Sequence, residues 1–403
     1  MKSELKQAIG VFALATGLVA VLGLVARGVP FVSSNLGALV AIVFLYLTVW
    51  MAGRRGEDLE AFAFRSAPRL RGVAIAVADM NGDCLDDLVR LHEGYSLEIE
   101  YQQEDGSFVH FDYGSVGGFS WAIAMGDADG NGFNDIFTGG AYNDHKRVLM
   151  ANADGSDYDN QMLPGPGLFV QCTNWHDIDN NGTLDLFVCN DDGISAPYNN
   201  DGSGGFVRDF NLIHPESTVP SDDSGNYGTV WTDYDNDGDA DLYIARCRQG
   251  VSDPDDGRRL NNMYRNDGDG QWTDVAEDIG MMPKEQSWAV DFADWDNDGD
   301  FDAFLVNHEA DSIFYENDGA GNYTEVTAST GVEQAISDLE MGIQTHFEDF
   351  DNDGFVDLLV TTRTNVHGLF LGNGDGTFTE EVDPFPTGNL GIQSAAVGDL
   401  NND

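Results

Sequence analysis

The chain has 403 residues with 19 basic and 70 acidic side chains, a formal net charge of −51. That much negative charge repels phosphate backbones and argues against a nucleic-acid partner. A content of 42% hydrophobic and 11% aromatic residues argues equally against a disordered acidic polymer.

Two stretches near the N-terminus, "AIGVFALATGLVAVLGLVA" (8–26) and "NLGALVAIVFLYLTVWMAG" (35–53), are each uncharged for 19 residues. Each is long enough to span a bilayer as a helix. Residues 1–56 therefore read as a membrane-anchoring hydrophobic hairpin. The alternative for the first stretch is a signal-peptide core, although no small-x-small cleavage site follows it. Residues 57–69 read as a linker, and residues 70–403 as a separate folded unit.

That unit is organised by an acidic nonapeptide. It occurs as "DMNGDCLDD" at 79, "DADGNGFND" at 127, "DIDNNGTLD" at 177, "DYDNDGDAD" at 233, "DWDNDGDFD" at 294 and "DFDNDGFVD" at 349, with "DLNND" at 399. A recurrence in this range of spacing marks a repeat architecture. With the first Asp as position 1, side-chain oxygens fall at positions 1, 3, 5 and 9. These are Asp79, Asn81, Asp83 and Asp87 in the first loop, and Asp127, Asp129, Asn131 and Asp135 in the second. The third has Asp177, Asp179, Asn181 and Asp185, and the fourth Asp233, Asp235, Asp237 and Asp241. The fifth has Asp294, Asp296, Asp298 and Asp302, and the sixth Asp349, Asp351, Asp353 and Asp357. The incomplete seventh contributes Asp399, Asn401 and Asp403. Hard oxygens in this order suit Ca²⁺, about one ion per complete repeat. Position 6 is Gly in five complete loops, where a tight turn needs a residue without a Cβ, but Cys84 in the first.

An EF-hand would need Glu at position 12 and helices on both sides. Position 12 is Arg90, Thr138, Val188, Ile244, Leu305 or Val360, and short β-type runs such as "LFVCN" and "LLVTT" follow the loops. Farther on, "NMYRNDGDGQWTDV" (262–275), "SIFYENDGAGNYTEV" (312–326) and "GLFLGNGDGTFTEEV" (368–382) read as hairpins, with weaker versions at 97–111, 148–158 and 197–207. Each repeat then supplies four strands: one before the loop, one after it, and a hairpin. The expected fold is all-β, a β-propeller of four-stranded blades, seven of them with the last incomplete.

From about residue 70 onward the chain resembles the FG-GAP/VCBS repeat propellers, a group that includes the integrin α-subunit head. The run "NNMYRNDGDGQWTDVAEDIG" followed by "SWAVDFADWDNDGDFD" is similar to cartilage acidic protein and ASPIC/UnbV-type proteins. The resemblance implies a propeller with Ca²⁺ in the loop between the first two strands of each blade. It places the ligand roles on the residues named above. The chain stops inside the seventh loop, which reads as a C-terminal truncation.

Catalytic signals do not appear. Eight histidines lie scattered, without H-x-x-x-H or H-E-x-x-H spacing, and no G-x-S-x-G elbow occurs. Cys172 and Cys189 bracket the third loop and could face each other across a strand pair, as a disulfide or as two thiols; Cys247 has no evident partner. Lys2, Lys6, Arg54 and Arg55 would place both ends of the hydrophobic pair in the cytoplasm by the positive-inside rule. Weak Ca²⁺ loops argue for the opposite side, since they would stand empty at cytosolic calcium levels. The expectation is a non-catalytic, membrane-tethered, Ca²⁺-binding propeller outside the cytoplasm, an adhesion or ligand-binding module for an extracellular protein or polysaccharide. The alternative is a structural or substrate-positioning domain of a larger envelope-associated enzyme.

Overall fold

Strands form here because short apolar runs are fenced by Asp-, Asn- and Gly-rich turns that cannot continue them. The computed structural model describes residues 61–66, 74–141, 145–215, 224–364, 366–382, 384–385 and 392–400. Among these residues there are six four-stranded antiparallel sheets, each built from four consecutive strands in chain order. The fourth blade is typical: Asn226–Thr232, Asp241–Arg246, Asn262–Asn266 and Trp272–Asp274. Each metal-type loop joins the first strand of its blade to the second, and each expected hairpin forms the third and fourth strands. Helix is confined to Glu333–Ser337 and two 3₁₀ turns among the described residues.

The first strands of successive blades lie against one another, from Ile75–Ala78 round to Gly342–Glu348. The last strand, Ile392–Gly398, touches the first strands of both the sixth and the first blade, so the ring closes. At this seventh position the described residues form a two-stranded sheet. The partner is Ala61–Ser66, running antiparallel with Ala61 opposite Gly398 and a bulge between Arg65 and Ser66. Residues 57–69, expected as a linker, thus contain a strand. The physical reason is edge satisfaction: Ile392–Gly398 offers a row of open backbone groups, and "AFAFRS" is a β-compatible segment placed to pair with it. The two hydrophobic stretches at 8–26 and 35–53 lie outside the described residues. Among the described residues no helix is long and apolar enough to cross a membrane.

The cores sit in the seams between blades, not inside any one of them. Val89 and Leu91 of the first blade pack with Ile136 and Leu149 of the second. Phe304 and Phe314 of the fifth pack with Leu358, Phe370 and Phe378 of the sixth. Position 2 of each metal-type loop enters the same seams: Met80, Ala128, Ile178, Tyr234, Trp295 and Phe350 are all buried. Each loop is therefore tied to the packing between its blade and a neighbour. Trp295 sits 5.7 Å from Phe378 and 5.8 Å from Phe314 by ring centroids, in the seam between blades five and six. Replacing it with alanine leaves a cavity there, and Trp295→Ala should destabilise the fold by about 3–5 kcal/mol in urea unfolding. A loss under about 1 kcal/mol would show that the seams do not hold the ring together.

Candidate metal centres

Each loop begins at the end of a first strand and returns to the sheet at position 9, the first residue of the second strand. The turn needs left-handed backbone at two places. Position 4 has φ between 57° and 77° and is filled by Gly82, Gly130, Asn180, Asn236, Asn297 or Asn352, the residue types that tolerate it. Position 6 has φ of 89° to 99° at Gly132, Gly182, Gly238, Gly299 and Gly354, and 65° at Cys84.

The position-1 aspartate closes the loop on itself. In the second loop, Asp127 accepts the N–H of Asn131 at 3.0 Å on Oδ1 and that of Gly132 at 2.9 Å on Oδ2. The same pair of bonds recurs at Asp79, Asp177, Asp233, Asp294 and Asp349. At position 5, the side-chain oxygen turns back to its own loop and accepts the N–H of position 7, as Asn181 does from Thr183 at 2.8 Å.

The position-9 aspartates behave differently. Asp87, Asp135, Asp185, Asp241, Asp302 and Asp357 are all 0% exposed. Each accepts the N–H of the last residue of the third strand: Gln102, Ala151, Asn200, Asn266, Asn317 or Gly372, at 2.7–2.9 Å. Five of them also accept the N–H of position 2 on Oδ2, at 2.8–3.3 Å. Position 9 is thus a strut between loop and sheet, and in four loops also one of the converging carboxylates. The spacing alone did not reveal the strut, because its partner lies 15 to 25 residues downstream.

Carboxylate oxygens converge in five loops. One oxygen each from Asp127, Asp129 and Asp135 lies within 4.8 Å of the others, and so do those of Asp177, Asp179 and Asp185. The same holds for Asp233, Asp235 and Asp241, and for Asp294, Asp296 and Asp302. In the sixth loop the trio is Asp349, Asp351 and Asp353, with Asp357 engaged by Phe350 and Gly372. No trio of acidic groups gathers this closely at Asp79, Asp83 and Asp87, where Asn81 takes position 3. Asn401 and Asp403 of the seventh loop lie outside the described residues.

These donor sets fit a hard divalent cation. They consist of oxygens alone, and two buried carboxylate oxygens, Asp235 Oδ1 and Asp302 Oδ2, have no hydrogen-bond donor. Like charges packed this closely without a counter-ion raise one another's pKa, and burial raises it further. Burial, chiefly, pushes Asp87, Asp135 and Asp185 up to about 6, Asp357 to about 7, and Asp241 and Asp302 to about 8.

Elsewhere, His176, next to Asp177 in the chain, stacks on Trp231 at 4.5 Å, and burial lowers its pKa. Cys172 and Cys189 are cross-strand neighbours joined by a backbone bond of 2.9 Å, and both thiols are free, as are those of Cys84 and Cys247.

A family model described as FG-GAP-like repeat matches residues 177–244, 233–305 and 349–403, spans that begin at the third, fourth and sixth loops. The chain is similar to the solved structure of a lectin from Agrocybe aegerita that recognises non-reducing terminal N-acetylglucosamine. Identity is 16% and the TM-score 0.48, over 84% of this chain and 82% of that one. It is also similar to the WD40 β-propeller domain of Doa1, at 10% identity and a TM-score of 0.49, over 86% of this chain and 95% of that one. No curated protein matches the chain.

Two outcomes follow from the loop geometry. Cys84 holds a backbone conformation unfavourable to a side chain, so Cys84→Gly should stabilise the metal-free protein by about 1 kcal/mol. Lower stability of the glycine variant in urea would show that the loop is not strained there. The second concerns pH. The position-9 carboxylates hold protons more tightly folded than unfolded, so their ionisation penalises the fold. That penalty is absent below the unfolded value near 4, grows as pH rises, and is complete above about 8. In excess chelator the melting temperature should therefore fall between about pH 5 and pH 8. A rise over that window would contradict buried, metal-free carboxylates.

Proposed function

We propose that this FG-GAP-repeat β-propeller is a Ca²⁺-binding ligand-recognition or adhesion module, tethered to a membrane through its N-terminal hydrophobic segments and facing away from the cytoplasm. The observation that carries the reading is the convergence of three carboxylate oxygens at the same place in five blades. Carboxylate-rich oxygen sites with room for 6–8 ligands favour Ca²⁺ over Mg²⁺, which demands a tighter octahedron and keeps its waters. The side-chain oxygens present are those of positions 1, 3, 5 and 9. When bound, the ion would supply the positive charge that these clusters lack.

The role of the ion in this reading is structural. Position 1 orders the loop, position 9 ties it to the third strand, and position 2 carries that order into the seam with the adjacent blade. Asn200 Nδ2 donates to Ala128 O at 2.6 Å and Asn317 Nδ2 to Tyr234 O at 2.8 Å, so one blade's third strand also grips the preceding blade's loop. Neutralising the carboxylates would therefore stiffen the ring as a whole and present its other face as a rigid platform. A protein or polysaccharide outside the cell is the class of partner proposed, and no residue is assigned a catalytic role.

Chelation is the direct test. Removing Ca²⁺ from the full chain should lower the melting temperature by more than about 10 °C, because several linked sites each contribute RT ln(1 + [L]/Kd) to stability. Restoring Ca²⁺ should recover it, and Mg²⁺ at equal concentration should recover far less. An unchanged melting curve in excess EDTA would remove the metal from this account.

A further inference from the structure

The face of the ring opposite the metal-type loops holds a cavity of about 570 Å³ at the propeller axis. Its wall is made where the first strands begin: Tyr227 opens the fourth blade, Trp288 the fifth and Gln344 the sixth, with Phe119 and Trp121 from the second. Its size falls in the range of small-molecule sites, about 300–1,000 Å³. In a chain with 70 acidic side chains, no carboxylate lines it among the described residues. Among the described residues the single charged one in the lining is Arg363.

Arg363 is held over the Trp288 ring at 4.3 Å, and Trp288 is stacked on His308 at 4.2 Å and on Tyr227 at 5.1 Å. Its guanidinium has no carboxylate and no hydrogen-bond acceptor among the described residues. By contrast, Arg248, Arg258, Arg259 and Arg265 are each paired with an acid. Hydroxyl-matching groups are present beside it. Gln171 donates to Asp191 and keeps its carbonyl for a ligand, whereas Gln344 accepts from Ala395 and keeps its amide N–H groups.

We propose that this axial cavity binds a uronic acid residue of an acidic polysaccharide, with the sugar ring against the aromatic wall and its carboxylate on Arg363. An aromatic wall suits the apolar face of a sugar ring. A planar guanidinium prepositioned by stacking matches a carboxylate in two-point contact. The free carbonyl of Gln171 and the free amide N–H groups of Gln344 suit ring hydroxyls. The proposal rests on the ligand-recognition reading above and gives it a place and a ligand class.

The test uses the full Ca²⁺-loaded chain, with tryptophan fluorescence and calorimetry as readouts. D-galacturonate and D-glucuronate are the probes, D-galactose and D-glucose their neutral counterparts, and benzoate a ring carboxylate without hydroxyls. The uronates should bind saturably and the neutral sugars about tenfold or more weaker. Arg363→Gln should weaken uronate binding by a similar factor at an unchanged melting temperature. If Arg363→Gln lowers the melting temperature, Arg363→Met, which keeps the stem on Trp288, serves in its place. Equal affinity for uronates and neutral sugars, no saturable uronate binding, or indifference to the loss of Arg363 would overturn the site. Benzoate binding as tightly as the uronates would overturn the assignment to a sugar. Binding of another ligand that survives Arg363→Gln would leave the ligand-recognition reading standing and remove only this cavity.

Discussion

One buried aspartate per blade governs this molecule. It stands where the metal-type loop rejoins the sheet, shielded from water, with one oxygen on the third strand and, in five blades, the other on the loop. A buried carboxylate is costly unless donors or a cation neutralise it. Backbone N–H groups meet part of that cost, and the converging carboxylates of positions 1 and 3 add to it again. The arrangement makes geometric sense as the floor of a cation site and little sense as a bare acidic turn.

That local balance spreads because the blades have no cores of their own. The apolar side chains lie in the seams, and position 2 of each loop is one of them. Gly321 shows how closely loop and neighbour fit. With φ +77°, it has no room for a side chain: a Cβ would come within 2.9 Å of Tyr234 and 3.0 Å of Asp235 in the preceding blade's loop. Order in one loop is felt by the next blade, so the ring behaves as a chain of nearest-neighbour contacts closed on itself.

The two ends of the first strands differ in the side chains they gather. The loops gather carboxylates at one end of the first strands. The axial cavity at the other end is aromatic, has no carboxylate in its lining among the described residues, and carries a guanidinium resting on an indole.

Much of this was legible in the sequence. A loop repeated at 48-residue or longer intervals, glycine or asparagine where the backbone turns left-handed, and a hairpin after each loop are local signals; they specified four-stranded blades and marked the acidic residues that converge in five loops. Position 2 carried a local signal too, as an apolar or aromatic residue between an Asp and an Asp or Asn in every complete loop. Tertiary structure alone decided what joins distant parts of the chain. Pairing of Ala61–Ser66 with Ile392–Gly398 links segments more than 300 residues apart, and nothing in "AFAFRS" names its partner. The hydrogen bond from the third strand to position 9 depends on how the sheet registers. The axial cavity gathers Trp121, Tyr227, Trp288 and Arg363 from four blades. Periodicity encodes what neighbours along the chain do, whereas closure of the ring brings together residues that share no sequence pattern.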